Sequence, residues 1–263
     1  VVAVAALGAK IVARFQQPAA WGLLLAFYPG IVASLSRNLT ECVALAFALA
    51  AIDSAQSRRH WAAGLLGAVA VFCRETTLLM LMGFGVMQLL EIRVDRRTIH
   101  WVWYLLPLIA FLVWQAFLAH WWNQPPHSGG VQDLGIPFAG YLKLLWNCLF
   151  QSGLFSVSPV ADWLMRGYTL AAALSAGLTL ILILPKLANA PMTLVIPWIA
   201  YAILVMCLSN VIWLSPGEFL RAFTETYVLS ILIAAATAST RVGQWLAISW
   251  AIVMLPTVVV FLR

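Results

Sequence analysis

Residues 58–97 read RRHWAAGLLGAVAVFCRETTLLMLMGFGVMQLLEIRVDRR, two basic turns joined by an apolar stretch that is interrupted once, at Arg74-Glu75-Thr76. One helix through 61–91 would be about 46 Å long at 1.5 Å per residue and would carry its two basic ends to opposite sides of a bilayer. Basic residues gather on the cytoplasmic side. The stretch therefore reads as two short helices, 61–73 and 76–91, with Arg74 and Glu75 at the far, outer side.

Further apolar segments fall at 1–13, 19–34, 39–53, 101–122, 167–185, 192–214, 219–238 and 243–262. Hydrophobic residues make up 63% of the 263, charged residues only 9%, and the mean hydropathy is +0.95. A soluble domain carries roughly a quarter charged residues, so a water-soluble fold is excluded. The expected fold is all-α: a polytopic transmembrane bundle of about ten apolar segments, with an outer loop and an interfacial helix. Several segments are shorter than the ~20 residues of a straight span, and such helices need protein or a watery cavity to shield their ends. They point to a cleft.

Alternating crossings place Lys10, Arg14, Arg58, Arg59, Arg93, Arg96, Arg97, Lys186 and Arg241 inside, against the acids Asp53, Glu91 and Asp95. Outside, Arg37, Arg74, Lys143, Arg166, Arg221 and Arg263 are balanced by Glu41, Glu75, Asp133, Asp162, Glu218 and Glu225. The net charge of +6 is thus a topology signal and not a nucleic-acid footprint. The chain divides into a transmembrane core at 1–122, an outer loop region at 123–166 and C-terminal transmembrane helices at 167–263. Within the loop region, Lys143, Asn147 and Gln151 recur at i, i+4, i+8 among apolar residues, the pattern of a helix lying in the interface plane.

Cys42, Cys73, Cys148 and Cys207 are widely spaced and form no CxxC or Cys/His cluster, so they read as small buried hydrophobes and no metal ligand set is assigned. His120, beside Trp121 and Trp122, is expected to be buried. Gly83-Phe84-Gly85 lacks the strand and third glycine of a dinucleotide loop.

The charged residues at the outer helix ends are the candidate site. Asn38 is expected to cap a helix, with Glu41 completing a capping box and Arg37 reaching to headgroups. An arginine and a carboxylate at that depth can also hold a phosphate and handle a proton. Arg74 and Glu75 end a helix at the same level. Glu218, Arg221 and Glu225, at i, i+3, i+7, share one helix face, where intrahelical pairing is the plain alternative. His127 and Asp162 are candidates on the acceptor-side loop.

Tyr28-Pro29-Gly30, Ser36-Arg37-Asn38-Leu39-Thr40-Glu41 before an Ala/Leu-rich helix, the Arg58-Arg59-His60 turn and Phe72-Cys73-Arg74-Glu75-Thr76 together resemble the GT-C class of integral-membrane glycosyltransferases, in particular bacterial cell-surface glycopolymer enzymes related to the protein mannosyltransferases. The resemblance covers about residues 20–90. It implies many helices around an outward-facing cleft, a polyprenyl-phosphate sugar donor and a glycan or lipid acceptor. It also implies phosphate contacts at Arg37 and Arg74 and sugar or acceptor contacts at Glu41 and Glu75; the converging helix ends, separately, put Arg221 or Glu225 on the opposite wall of one outward cavity. The first outer loop of that class carries the catalytic acid, and no acidic pair precedes Glu41. The catalytic carboxylate is therefore expected upstream of residue 1, with Glu41 or Glu75 as fallback. A transporter or flippase of an amphiphilic solute uses similar broken helices and paired charges and is the competing expectation.

Overall fold

The structure is a computed structural model that describes residues 1–37, 40–92, 100–122, 134–151, 153–155 and 158–261. The helices are α1 (Val2–Arg14), α2 (Trp21–Ala26), α3 (Pro29–Ser36), α4 (Glu41–Gln56), α5 (His60–Cys73), α6 (Leu78–Ile92), α7 (Leu105–Trp122), α8 (Ala139–Phe150), α9 (Pro159–Ile183), α10 (Met192–Met206), α11 (Asn210–Leu214), α12 (Pro216–Ala222), α13 (Thr224–Ala236) and α14 (Thr240–Phe261). Short 3-10 turns cover Glu75–Thr77, His100–Tyr104 and Leu184–Asn189. Among the described residues there is no strand, and an isolated bridge joins Leu134 to Leu208.

Among the described residues, three helical stretches are long and apolar enough to cross a membrane: His100–Trp121, Pro159–Asn189 and Thr240–Val259. The stretches His60–Cys73, Glu75–Leu90, Met192–Met206 and Thr224–Ala236 are apolar but shorter. The expected segments break where proline or a charged turn stops them. Pro29 opens α3 and splits 19–34; a missing N–H and fixed φ suit a first turn and not an interior. Pro216 opens α12 after the extended Ser215. Pro159 opens α9 well before the expected Gly167, so the last part of the 123–166 region is helix and not loop.

α13 is the central element. Every residue from Thr224 to Ala235 is buried, as suits a helix apolar on all sides. Thr224 donates to the Leu220 carbonyl (3.2 Å) and Ser230 to the Thr226 carbonyl (2.7 Å), while Trp198 Nε1 donates to Ser230 Oγ (2.8 Å); among the described residues Thr226 Oγ1 has no hydrogen-bond partner. Tyr28 stacks on Tyr227 at 4.5 Å with Trp250 edge-on to both. The Tyr28-Pro29-Gly30 motif is a packing device. Tyr28 hydroxyl donates to the Leu220 carbonyl (3.0 Å), and a Cβ on Gly30 would lie 2.3 Å from that same oxygen.

Asp53 near the end of α4 is paired with Lys10 (2.8 Å) and with Arg14, both on α1, and Arg14 also donates to Ser57 (2.7 Å). His60 and His100 stack at 4.5 Å and Tyr104 hydroxyl lies 2.9 Å from His60 Nδ1, joining α5 to the turn before α7.

α8 covers most of the expected interfacial helix, but it also packs. Gly140, Leu144 and Cys148 are buried, whereas Leu142, Lys143, Trp146, Leu149 and Phe150 are exposed. Cys42 and Cys148 are buried, Cys73 and Cys207 half-buried, and all four are free thiols. His120 is exposed, contrary to expectation.

Candidate functional site

The charged candidate residues belong to helix termini, and each terminus has a local reason to be there. α4 starts at Glu41 with Thr40 as its N-cap residue, so Glu41 is the first helical residue and not the third of a capping box. Thr40 Oγ1 turns across to donate to the Cys73 carbonyl at 2.6 Å, satisfying an orphan carbonyl at the end of α5. α5 stops because Arg74 is extended (φ −159°, ψ 115°); Thr77 Oγ1 then donates to the Arg74 carbonyl at 2.6 Å and starts the 3-10 turn into α6. Glu41 and Glu225 both sit in first turns, where the helix dipole favours a negative charge.

These ends form a connected network. Arg221 Nε donates to Glu41 Oε1 (2.9 Å), with Nη2 on the same oxygen, and Arg221 Nη1 donates to Glu218 Oε2 (2.7 Å). The other oxygen of Glu218 takes Arg37 Nη1. Arg74 Nη2 donates to the Arg221 carbonyl (3.2 Å), and Arg74 Nη1 lies 3.0 Å from Glu225 Oε1. Thr76 Oγ1 donates to that same Glu225 oxygen at 3.4 Å, and Tyr201 hydroxyl donates to the Thr76 carbonyl at 2.6 Å. Exposure grades the network from rim to interior: the side chains of Arg37, Arg74 and Glu225 are 42%, 17% and 4% accessible.

Arg37, Glu41, Arg74, Arg221 and Glu225 are thus brought together from α3, α4, the α5–α6 break, α12 and α13. Glu218 and Arg221 do pair within α12, but Arg221 spends its remaining donors on Glu41. Glu75 is turned aside: it is exposed and accepts from Gln115 Nε2 on α7 (2.9 Å). Asn38 and His127 lie outside the described residues. Asp162 is placed elsewhere. It sits in the first turn of α9, accepts from the backbone N–H of Gly153 (3.0 Å) and Phe155 (2.8 Å), and pairs with Arg166 at 3.2 Å. These bonds make it the anchor of the 153–155 turn, a buried structural carboxylate and not a loop residue facing an acceptor. Sequence reasoning passed over Gln115 and Tyr201; a lone glutamine inside the apolar run of α7 was the available signal. Among the described residues, no group of three or more His, Cys, Asp and Glu side chains is gathered to hold a metal ion.

Two cavities flank α10. One of about 330 Å³ adjoins the Arg74–Glu225 pair, with Glu75, Thr76, Tyr201, Val205, Ala222 and Leu134 on its walls. The other, of about 680 Å³, is almost wholly apolar and lies against a different face of α10, between Trp198, Ala202 and Met206 on that helix and Tyr141, Gly177 and Leu180 from α8 and α9. A strap at residues 134–138 crosses the end of α10 and touches both. Gly135 N–H donates to the Cys207 carbonyl (2.7 Å) and Phe138 N–H to the Met206 carbonyl (2.8 Å). Leu134 lines the charged cavity, whereas Pro137 and Phe138 line the apolar cleft. Phe138 has φ 65°, a left-handed backbone that a non-glycine residue adopts only when its surroundings fix it.

No protein-family model, curated protein or solved structure matches the chain.

Proposed function

We propose that the chain belongs to a multi-pass membrane protein of the bacterial inner membrane. In this reading it transfers a sugar from a polyprenyl-phosphate donor to a cell-surface glycan or lipid acceptor at the outer face. The observation that carries the reading is the pair of cavities on α10 under one strap. An amphiphile has one charged end and one long apolar end, and a charged cavity beside an apolar cleft offers both environments side by side.

The site chemistry suits such a donor. A glycosyl phosphate already has a good leaving group, so the protein's main task is to stabilise developing phosphate charge. Arg37, 42% exposed and paired with the half-exposed Glu218, is the arginine that a phosphate can recruit at least cost, because exposed pairs contribute only about 0–1 kcal/mol. Arg221 and Arg74 are anchored by Glu41 and Glu225 and would act through their fixed positive field rather than by moving. Both would be preorganised donors, which is the arrangement that electrostatic catalysis requires.

A transporter or flippase of an amphiphilic solute is the second reading. It is favoured by the discontinuous α5–α6 and α12–α13 pairs, which meet at buried opposite charges. The deciding experiment reconstitutes the chain in vesicles with a radiolabelled polyprenyl-phosphate hexose and follows binding, transfer to an added glycan, and movement between leaflets. Saturable binding weakened by Arg37→Ala supports the proposal. Leaflet exchange without transfer replaces it with the transport reading, and no binding at all removes both.

A further inference from the structure

Arg74 and Glu225 are close without being fully satisfied by each other. The 3.0 Å approach of Arg74 Nη1 to Glu225 Oε1 lacks hydrogen-bond alignment, so among the described residues Nη1 has no hydrogen-bond partner, and neither does Glu225 Oε2. Both atoms are buried, and both residues line the 330 Å³ cavity. Buried polar atoms in folded proteins are nearly always paired, and those that are not tend to mark a place for a ligand, a water or a reacting group. The neighbouring hydroxyls do not serve them. Tyr201 donates to the Thr76 carbonyl, and Thr76 donates to the other oxygen of Glu225.

What remains at the cavity wall is therefore one donor and one acceptor of opposite charge. A guanidinium nitrogen only donates, and its best partner is an anionic oxygen; an ionised carboxylate oxygen only accepts, so its partner must bring a hydroxyl or ammonium proton. A sugar bound to a phosphate offers both within a few bonds. The cavity is at the small end of ligand-site volumes, sized for a headgroup and not for a chain. Its remaining walls mix the apolar Leu204, Val205 and Ala222 with Glu75, Thr76 and Tyr201.

We infer that the Arg74–Glu225 cavity is a sugar subsite, in which Glu225 Oε2 accepts a hydrogen bond from a sugar hydroxyl while Arg74 Nη1 donates to the oxygen of the adjoining phosphate. The inference rests on the lipid-linked donor reading above and adds to it a residue that reads the sugar. Neither local sequence pattern contains it: Glu225 falls on the Glu218/Arg221 face by spacing, yet its carboxylate meets a residue from the α5–α6 break.

The test uses the whole chain in phosphatidylcholine nanodiscs with two probes, farnesyl phosphate and its glucosyl ester. A sugar hydroxyl donating to a buried carboxylate should make the glucosyl ester bind at least about tenfold tighter. Glu225→Gln should erase that advantage while farnesyl phosphate still binds, at least as tightly as before because Arg74 loses its counter-charge. A second measurement does not depend on a variant that folds: dicyclohexylcarbodiimide labelling of Glu225, mapped by peptide mass spectrometry, should be slowed by the glucosyl ester and not by farnesyl phosphate. Equal affinity for the two probes, or labelling indifferent to the sugar, overturns the subsite while leaving a phosphate-lipid site intact. Competition by phosphatidylethanolamine that disappears in Glu225→Gln overturns the sugar in favour of an ammonium. Failure of both probes to bind wild-type protein overturns the donor reading itself.

Discussion

Arg221 on α12 donates through Nε and Nη2 to a single oxygen of Glu41, 180 residues earlier at the start of α4. The Glu41 carboxylate is 6% exposed, so its charge has been moved out of water and depends on this partner. Arg221→Met should cost about 3–5 kcal/mol, because it strands a buried charge. The pair Glu41→Gln/Arg221→Met should recover most of that loss. Unfolding in mixed micelles, read as a double-mutant cycle, checks both numbers; additive losses would mean the pair is not coupled.

Arg74 and Glu75 are adjacent in sequence and opposite in consequence. Glu75 is exposed and paired with Gln115, so Glu75→Ala should change stability by no more than about 0.5 kcal/mol. Arg74→Ala leaves the 4% exposed Glu225 without its counter-charge and should cost about 3 kcal/mol or more. The same unfolding measurement on the two variants separates them.

Gly83 and Gly167 both lie inside helices, yet only the first is needed for close approach. A Cβ at Gly83 would sit 2.3 Å from the Thr193 carbonyl and 2.7 Å from the Pro197 ring, the contact by which α10 rests on α6. Gly83→Ala should destabilise by about 1–3 kcal/mol through overpacking. A Cβ at Gly167 meets nothing, and Gly167→Ala should stabilise by up to about 1 kcal/mol through helix propensity. Melting temperatures of the two variants should move in opposite directions.

The two charged ends predict sidedness. In a background with all four cysteines replaced by alanine, a cysteine at position 59 should resist a membrane-impermeant maleimide in intact cells, and a cysteine at the exposed position 143 should react. Labelling of 59 with protection of 143 would reverse the orientation and put the Arg221–Glu41 network on the cytoplasmic side.

Much of the helix content was legible because apolar runs and prolines act locally. The break at Arg74 was legible for a second reason: two basic turns flanking one stretch leave few ways to cross a bilayer. Glu218 and Arg221 were legible as an i, i+3 pair, and they do pair at 2.7 Å. The remaining donors of Arg221 were not, since their acceptor is set by how α12 docks on α3 and α4. Glu41 failed as a capping-box residue because Thr40 is the N-cap and spends its hydroxyl on α5. Asp162 failed as a loop residue because Pro159 starts α9 early and turns the carboxylate back onto the 153–155 backbone. The cavities of α10 were invisible for the same reason as the long-range pairs: they are spaces between elements, and no residue spacing encodes them.

α4 is clamped at each end by a different partner: Glu41 by Arg221, and Asp53 by Lys10 and Arg14. The two clamps are about 18 Å apart at 1.5 Å per residue. A rod bolted at both tips cannot act as a piston, since sliding it either way breaks both bolts together. It can serve only as a fixed post. If the proposed function holds, helix motions that admit the donor would turn about α4, with α1 travelling with it through the Asp53 pairs.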